Sequence, residues 1–244
     1  MNKKKQWFFR ITIAILIMII CFSGYKVYTI ISGYQEGTKE YDEIKKVAGI
    51  KEDSHLINID FDKLKKQNKE IFGWLYSKNT KINYPVVQGS NNQKYLYTIP
   101  TGEVNGKGSL FIDFRCKKNF GGFNTIIYGH HMKDGSMFAC LDKYKNQSYY
   151  NKHKNMVLLT PTKRYTVEIF AAATIPADGN QYTIDFATKE SKKDYLDLIR
   201  EESLIDTDVT MTADDKMLML STCAYDFEDA RFVVYGKLSL KTEE

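Results

Sequence analysis

The chain has 244 residues, 43% of them hydrophobic, and a formal net charge of +5. That is room for one sizeable folded domain plus an appendage, with no composition of the kind that leaves a chain disordered. The lysines are scattered and no basic run is interleaved with aromatics, which argues against a nucleic-acid-binding protein. Four cysteines, at 21, 116, 140 and 223, contain no C-x-x-C pair, so they form neither a disulfide framework nor a structural zinc site. A Cys116–Cys140 pair stays open for a domain outside the cell.

Lys3, Lys4, Lys5 and Arg10 precede an apolar run over 11–22 that continues to Ile31, interrupted only by Lys26 among charged residues. The run is close to the roughly 20 residues needed to cross a bilayer, and Lys26 can snorkel to the interface. Basic residues ahead of a span predict that end inside and the bulk of the chain outside. A cleaved signal peptide has the same basic-then-apolar order. Here the run outlasts a usual signal core and no small-x-small site follows cleanly, so the reading is a retained anchor. Residues 1–33 are thus expected to be a cytoplasmic basic tip and transmembrane helix.

Tyr41, Ile44 and Val47 recur at helical spacing over 38–50, with Gly49 as a stop. Phe61, Leu64, Ile71 and Leu75 repeat the pattern over 60–75 behind Asp60 as N-cap. Two helices of a stalk over 34–75 are expected. From Trp74 the texture changes to short β-type runs. Residues 81–88 form one, whose Pro85 predicts an edge or a strand start. Residues 107–113 and 124–128 form two more, the last ending at Gly129-His130. Met137, Phe138, Leu141 and Tyr144 then share a helical face, capped by Asp134 or Ser136. Strands over 156–160 and 164–173 flank the turn Pro161-Thr162-Lys163. A loop over 175–189 leads to a helix over 191–202, where Ser191 and Asp194 stand at capping-box spacing. Many short strands with few helices predict a closed or nearly closed β-barrel over 76–244, which also removes exposed edges.

The chemistry gathers at the end of the chain. An apolar run from Met217 to Leu220 leads into Ser221-Thr222-Cys223, a polar loop follows, and Arg231 opens a second apolar run. A strand–loop–strand unit of this kind places a thiol and a guanidinium side by side at one sheet rim. A free cysteine is mostly thiol at neutral pH and needs a base or a positive neighbour. His130 can serve as imidazolium beside a thiolate or as the shuttle that protonates a leaving amine. Arg231 suits an oxyanion or the carbonyls of a bound peptide. The three suffice for acyl transfer from an amide through a thioester. Each also has a plainer reading: a small buried cysteine, a turn histidine, an arginine paired with Glu228 or Asp229. Spacing alone does not bring His130 to Cys223. A non-catalytic membrane-tethered binding module stays open on these grounds, as does an L,D-transpeptidase. The latter usually has Gly just before its cysteine and Arg two positions after, where Thr222 and Tyr225 stand.

Leu220-Ser221-Thr222-Cys223, followed eight positions later by Arg231, resembles the sortase signature T-L-x-T-C with its downstream arginine; Met219 replaces the first threonine. Residues 128–132 with 134–138, 83–88 and 108–115 resemble the corresponding regions of class B sortases, in the same order. The expected helix at 191–202 and the stalk helices match the added helices of that class, and the resemblance spans about residues 35–240. It implies an eight-stranded β-barrel on the outer face of a Gram-positive membrane. Such an enzyme cleaves a sorting motif, Asn-Pro-x-Thr-like in this class, after its threonine. It then passes the surface protein to an amine of a peptidoglycan precursor or a pilin. Cys223 then corresponds to the nucleophile, His130, selected over His131 by the Tyr-Gly-His pattern, to the catalytic histidine, and Arg231 to the catalytic arginine. Ser221 and Thr222 would line the groove, and Tyr182 and Thr183 would belong to the wall that reads the substrate. The resemblance implies no cofactor, and no carboxylate cluster demands calcium.

Overall fold

The computed structural model describes residues 3–50 and 58–241. The remaining parts of the expected tip, stalk and barrel spans lie outside the described residues. The chain opens with one long helix, α1 (Lys3–Val47), followed by α2 (Phe61–Gln67). Four strands come next: β1 (Ile71–Tyr76), β2 (Asn83–Val87), β3 (Leu110–Ile112) and β4 (Asn124–Tyr128). After α3 (Gln147–Lys152) come β5 (Asn155–Leu159), β6 (Arg164–Pro176), α4 (Lys189–Glu201), β7 (Lys216–Cys223) and β8 (Ala230–Leu240). The eight strands close into a barrel in the order β1-β2-β3-β4-β7-β8-β6-β5. The β2–β3 and β4–β7 pairs are parallel and the others antiparallel.

Closure explains the continuous apolar texture of the central strands. Residues 217–222 of β7 are buried without alternation, as are residues 124–127 of β4. One face fills the barrel and the other is covered by the layers outside it. Trp74, Leu75, Ile126, Leu218, Phe232 and Val234 are all wholly buried in this core.

Several local expectations are corrected. The expected anchor and the first stalk helix are one element, since no proline interrupts residues 3–47. Its far end buries Tyr41 and Ile44 against the domain, joined by Ala48 just past the helix. The expected helix over 60–75 splits. Asp60 does cap α2, accepting from Lys63 N at 3.0 Å, but Asn68 is extended and β1 takes over from Ile71. Ile71, Trp74 and Leu75 fit a helical stripe and a strand buried on both faces equally well, and pairing with β2 and β5 decides the matter. Pro85 is not at an edge; β2 pairs with β3 only through Val86 and Val87, so Pro85 lies outside that ladder. The helix expected after Asp134 is a 3-10 helix, Ala139–Lys145, and the Asp134 carboxylate instead closes a turn onto Ser136 N. Thr188 and Ser191 form the capping box of α4, which starts earlier than the Ser191–Asp194 spacing suggests. Cys116 and Cys140 are both buried and unpaired.

Candidate active site

The β7–β8 hairpin ends on the pair Cys223↔Arg231, directly opposite each other across the two strands. Such partners have α-carbons about 5 Å apart, so the thiol and the guanidinium leave one rim together. The histidine arrives by a route that spacing could not show. β4 runs parallel to β7 with Tyr128 opposite Ser221, and Gly129 N donates to Ser221 O at 3.1 Å. His130, one residue further on, therefore emerges at the rim where β7 delivers Cys223. Glycine is needed between them, because a Cβ at 129 would lie 2.6 Å from the Phe138 ring.

His130 Nε2 sits 2.6 Å from Leu96 O. A carbonyl oxygen only accepts, so Nε2 carries hydrogen and donates, and Nδ1 is the nitrogen left for proton exchange. The Tyr97 ring lies 5.5 Å from the imidazole, centroid to centroid. His131 is committed elsewhere: its Nε2 is 3.2 Å from Asp142 Oδ2 and its ring faces Tyr225. Arg231 does not pair with Glu228 or Asp229 among the described residues; Nη1 donates to Ala230 O at 2.9 Å.

His130, Cys223 and Arg231 line one open cleft of about 1030 Å3. Ser221, Thr222, Tyr182 and Thr183 line it too. The Tyr182 hydroxyl and Ser221 Oγ share a hydrogen bond of 2.8 Å, and the Tyr182 ring stacks on Tyr128 at 6.2 Å. Burial pushes the Tyr182 phenol above its usual range, so it stays neutral. Thr183 is fixed through its carbonyl, which accepts from Asn124 Nδ2 at 2.9 Å. Thr222 Oγ1 is buried with no hydrogen-bond partner among the described residues.

One feature of the cleft was missed from the sequence. The wholly buried carboxylate of Asp113 accepts from Arg115 Nε and Nη2 at 3.0 and 2.8 Å, Tyr128 Oη at 2.9 Å and Asn92 Nδ2 at 3.1 Å. Its three partners all line the cleft. The available signal was Asp113-x-Arg115 directly after a strand, an acid and a base two positions apart. Burial alone would raise the Asp113 carboxyl, but these hydrogen bonds outweigh it and hold the group below the usual carboxylate range. Asp113→Asn should therefore cost about 2–4 kcal/mol of stability at neutral pH, because charge-assisted bonds are lost in a buried site. The carboxyl has a depressed folded-state pKa, so its contribution is full above the unfolded value of about 3.9 and fades as pH falls through the folded value. Urea unfolding of both forms at pH 7 and in acid should show the gap narrowing only in acid.

The thiols differ sharply in access. Burial pushes Cys116 up to about 11 and raises Cys140 as well, whereas Cys223 is half-buried in the open cleft. Brief treatment of the folded protein with a charged thiol reagent should modify Cys223 and spare Cys116 and Cys140, as read by peptide mapping. Equal labelling of all three would contradict the assignment.

The Sortase domain model matches residues 76–239. Sortase B of Staphylococcus aureus is 35% identical over 236 residues, covering 95% of this chain and 96% of the relative. Sortase B of Listeria monocytogenes is 37% identical over 180 residues, 73% of each chain. Among solved structures, a Staphylococcus aureus sortase B–substrate complex superposes with a TM-score of 0.78 at 32% identity, over 85% of this chain and 98% of that one. Sortase B from Bacillus anthracis in complex with AAEK1 gives 0.78 at 34% identity, over 87% and 100%. With the eight-stranded barrel and the cysteine-bearing rim, these likenesses place the chain in the sortase family, as a class B sortase and a cysteine transpeptidase.

Proposed function

We propose that this transpeptidase joins surface proteins to an envelope amine through a thioester on Cys223. The observation that carries the reading is the Cys223–Arg231 cross-strand pair, met by His130 at the end of β4, in one cleft. The Cys223 sulfur attacks the carbonyl carbon of the motif threonine as its thiol proton passes to His130 Nδ1. Arg231 donates to the oxyanion of the resulting tetrahedral species, charge that exists only there. His130, through Nδ1, delivers a proton to the departing amine as the C–N bond breaks, leaving an acyl-Cys223 thioester and a released peptide. An acceptor amine then attacks the thioester and gives its proton to His130 Nδ1, which passes it to the departing Cys223 sulfur as the new amide forms.

The motif is Asn-Pro-x-Thr-like. The wall built by Tyr182, Thr183 and Ser221 beside the nucleophile suits an extended peptide with polar groups to satisfy. The acceptor is an amine of a peptidoglycan precursor or of a pilin. The apolar part of α1 crosses the membrane: an 18-residue window there has a mean hydropathy of 2.1 and is unburied in the protein. Lys4, Lys5 and Arg10 ahead of it put the N-terminus inside and the barrel outside. Residues 1–33 are then tip and anchor, 34–75 the stalk region and 76–244 the catalytic domain.

The test uses the full chain in detergent micelles with a panel of Asn-Pro-x-Thr and Leu-Pro-x-Thr peptides, with and without an oligoglycine amine, read by mass spectrometry. The expected result is cleavage after threonine in an Asn-Pro peptide and an amide product that requires the amine. Preference for Leu-Pro peptides would overturn the motif, and amine-independent products alone would overturn the transfer step.

A further inference from the structure

The stalk and the active-site histidine meet on one segment, residues 105–108. Its outer side faces α1. Asn105 Nδ2 donates to Gly33 O at 3.1 Å, and Lys107 Nζ lies 5.8 Å above the centre of the Tyr34 ring. Tyr41 Oη donates to Gly108 O at 2.5 Å. Gly37 makes the approach close: a Cβ there would stand 2.6 Å from Asn105 Oδ1. Gly33, Gly37 and Tyr41 are spaced by four and share one helix face, so α1 offers a smooth strip ending in a hydroxyl.

The inner side of the same segment backs the catalytic rim. Gly108 has a φ of +54°, and a Cβ there would collide with the Leu96 carbonyl, the oxygen that receives His130 Nε2–H. Asn105 N donates to Tyr97 O and Ser109 N to Tyr95 O, both at 3.0 Å, which fixes the peptide units on either side of Leu96. Lys107 Nζ is almost wholly buried, donating to Asp134 Oδ2 at 2.6 Å and to Ser136 Oγ at 2.9 Å. That turn directly follows the histidines, and Phe138 N donates back to His130 O at 3.0 Å. Both the carbonyl that orients the imidazole and the loop that carries it thus rest on residues 105–108.

We propose that the part of α1 beyond its apolar run, from Gly33 to Tyr41, is a positioning element of the active site. By clamping residues 105–108 it holds the Leu96 carbonyl against His130 and keeps Nε2 as the protonated nitrogen. Removing the clamp frees a glycine-flanked segment, and the imidazole then samples a second tautomer and other ring settings. The substrate wall of Tyr182 and Thr183 is held instead by Ser221 and Asn124, so the loss falls chiefly on kcat. The inference rests on His130 being the proton-transfer residue.

The experiment compares Gly37→Leu, Tyr41→Phe and Gly24→Leu in the full chain in nanodiscs. Gly24 lies on the same helix with nothing within 4 Å of its Cβ direction and serves as the control. Readouts are kcat and KM per folded molecule for peptide cleavage, thermal unfolding, and the 15N spectrum of His130 in histidine-labelled protein. Small displacements of a positioned group cost up to about 100-fold, so Gly37→Leu should lower kcat about 10–100-fold and Tyr41→Phe about 3–10-fold, with KM within about twofold. The single Nε2-protonated signature should give way to a tautomer mixture in both, while Gly24→Leu matches wild type. Wild-type kcat and an unchanged His130 spectrum in Gly37→Leu and Tyr41→Phe would overturn the proposal. So would a loss fully accounted for by the unfolded fraction. If His130→Ala itself retains turnover, the role of the histidine fails, and the spectrum alone then decides whether α1 sets its tautomer.

Discussion

Cys223→Ala should lower peptide turnover by at least about 10^4-fold while leaving the barrel folded and the peptide still bound. The site offers no substitute nucleophile. Ser221 Oγ is two residues away on the same strand face, but it is tied to the Tyr182 hydroxyl and no base contacts it. The fold should tolerate the change, because Cys223 is the last residue of β7 and its pairing with Arg231 is made by the backbone. A half-buried thiol at a rim leaves little cavity when trimmed, so the stability change should stay below about 1 kcal/mol. Peptide affinity by fluorescence anisotropy, measured beside product formation, separates a lost reaction from a lost fold. Turnover within about tenfold of wild type would remove Cys223 from the chemistry.

His130→Ala is expected to cost about 10^3–10^4-fold in kcat for an amide substrate, the range for a lost acid–base group at a nucleophilic site. The leaving group offers a sharper check. An amine must be protonated to depart, whereas an activated thioester needs no proton. The same variant should therefore lose far less, about 10–100-fold, on a thioester analogue of the motif. His131→Ala provides the contrast. Its side chain is engaged with Asp142 and Tyr225 and does not line the cleft, so kcat should stay within about threefold of wild type. A uniform loss on both substrates for His130→Ala would argue that the residue shapes the cleft and moves no proton.

The site was half legible in the sequence, for reasons that lie in contact range. Cys223 and Arg231 belong to one hairpin, so a local strand–loop–strand pattern already put them side by side. His130 depends on the parallel β4–β7 pairing, a non-local contact that no spacing rule reveals; the Tyr-Gly-His resemblance supplied it. Closure of the barrel followed from the run of short strands, and the eight strands now account for all edges. The misreading over residues 60–75 has a plain physical cause. Apolar residues at 61, 64, 71 and 75 fit a helical stripe, yet β1 is buried on both faces and its partners lie in β2 and β5. The Asp113 node escaped for a related reason: residues 107–113 were read as a strand by apolar pattern. Asp113, the last residue of that expected strand and one past the observed β3, acquires meaning only when Tyr128, Asn92 and Arg115 converge on it.

The stalk changes how the fold and the function connect. A continuous helix runs from the apolar segment to the buried Tyr41 and Ile44 without a break among residues 3–47. With that apolar segment in the bilayer as proposed, the Asn105–Gly33 contact would hold the barrel close to the membrane surface.

The most direct measurement is the intact mass of the full chain mixed with an Asn-Pro-x-Thr peptide in the absence of an amine and quenched in acid. The account predicts an adduct equal to the peptide up to its threonine, mapped to Cys223, released by hydroxylamine and consumed when an amine is added. Turnover of the peptide with no adduct on Cys223, or an acyl group trapped on another residue, would contradict it.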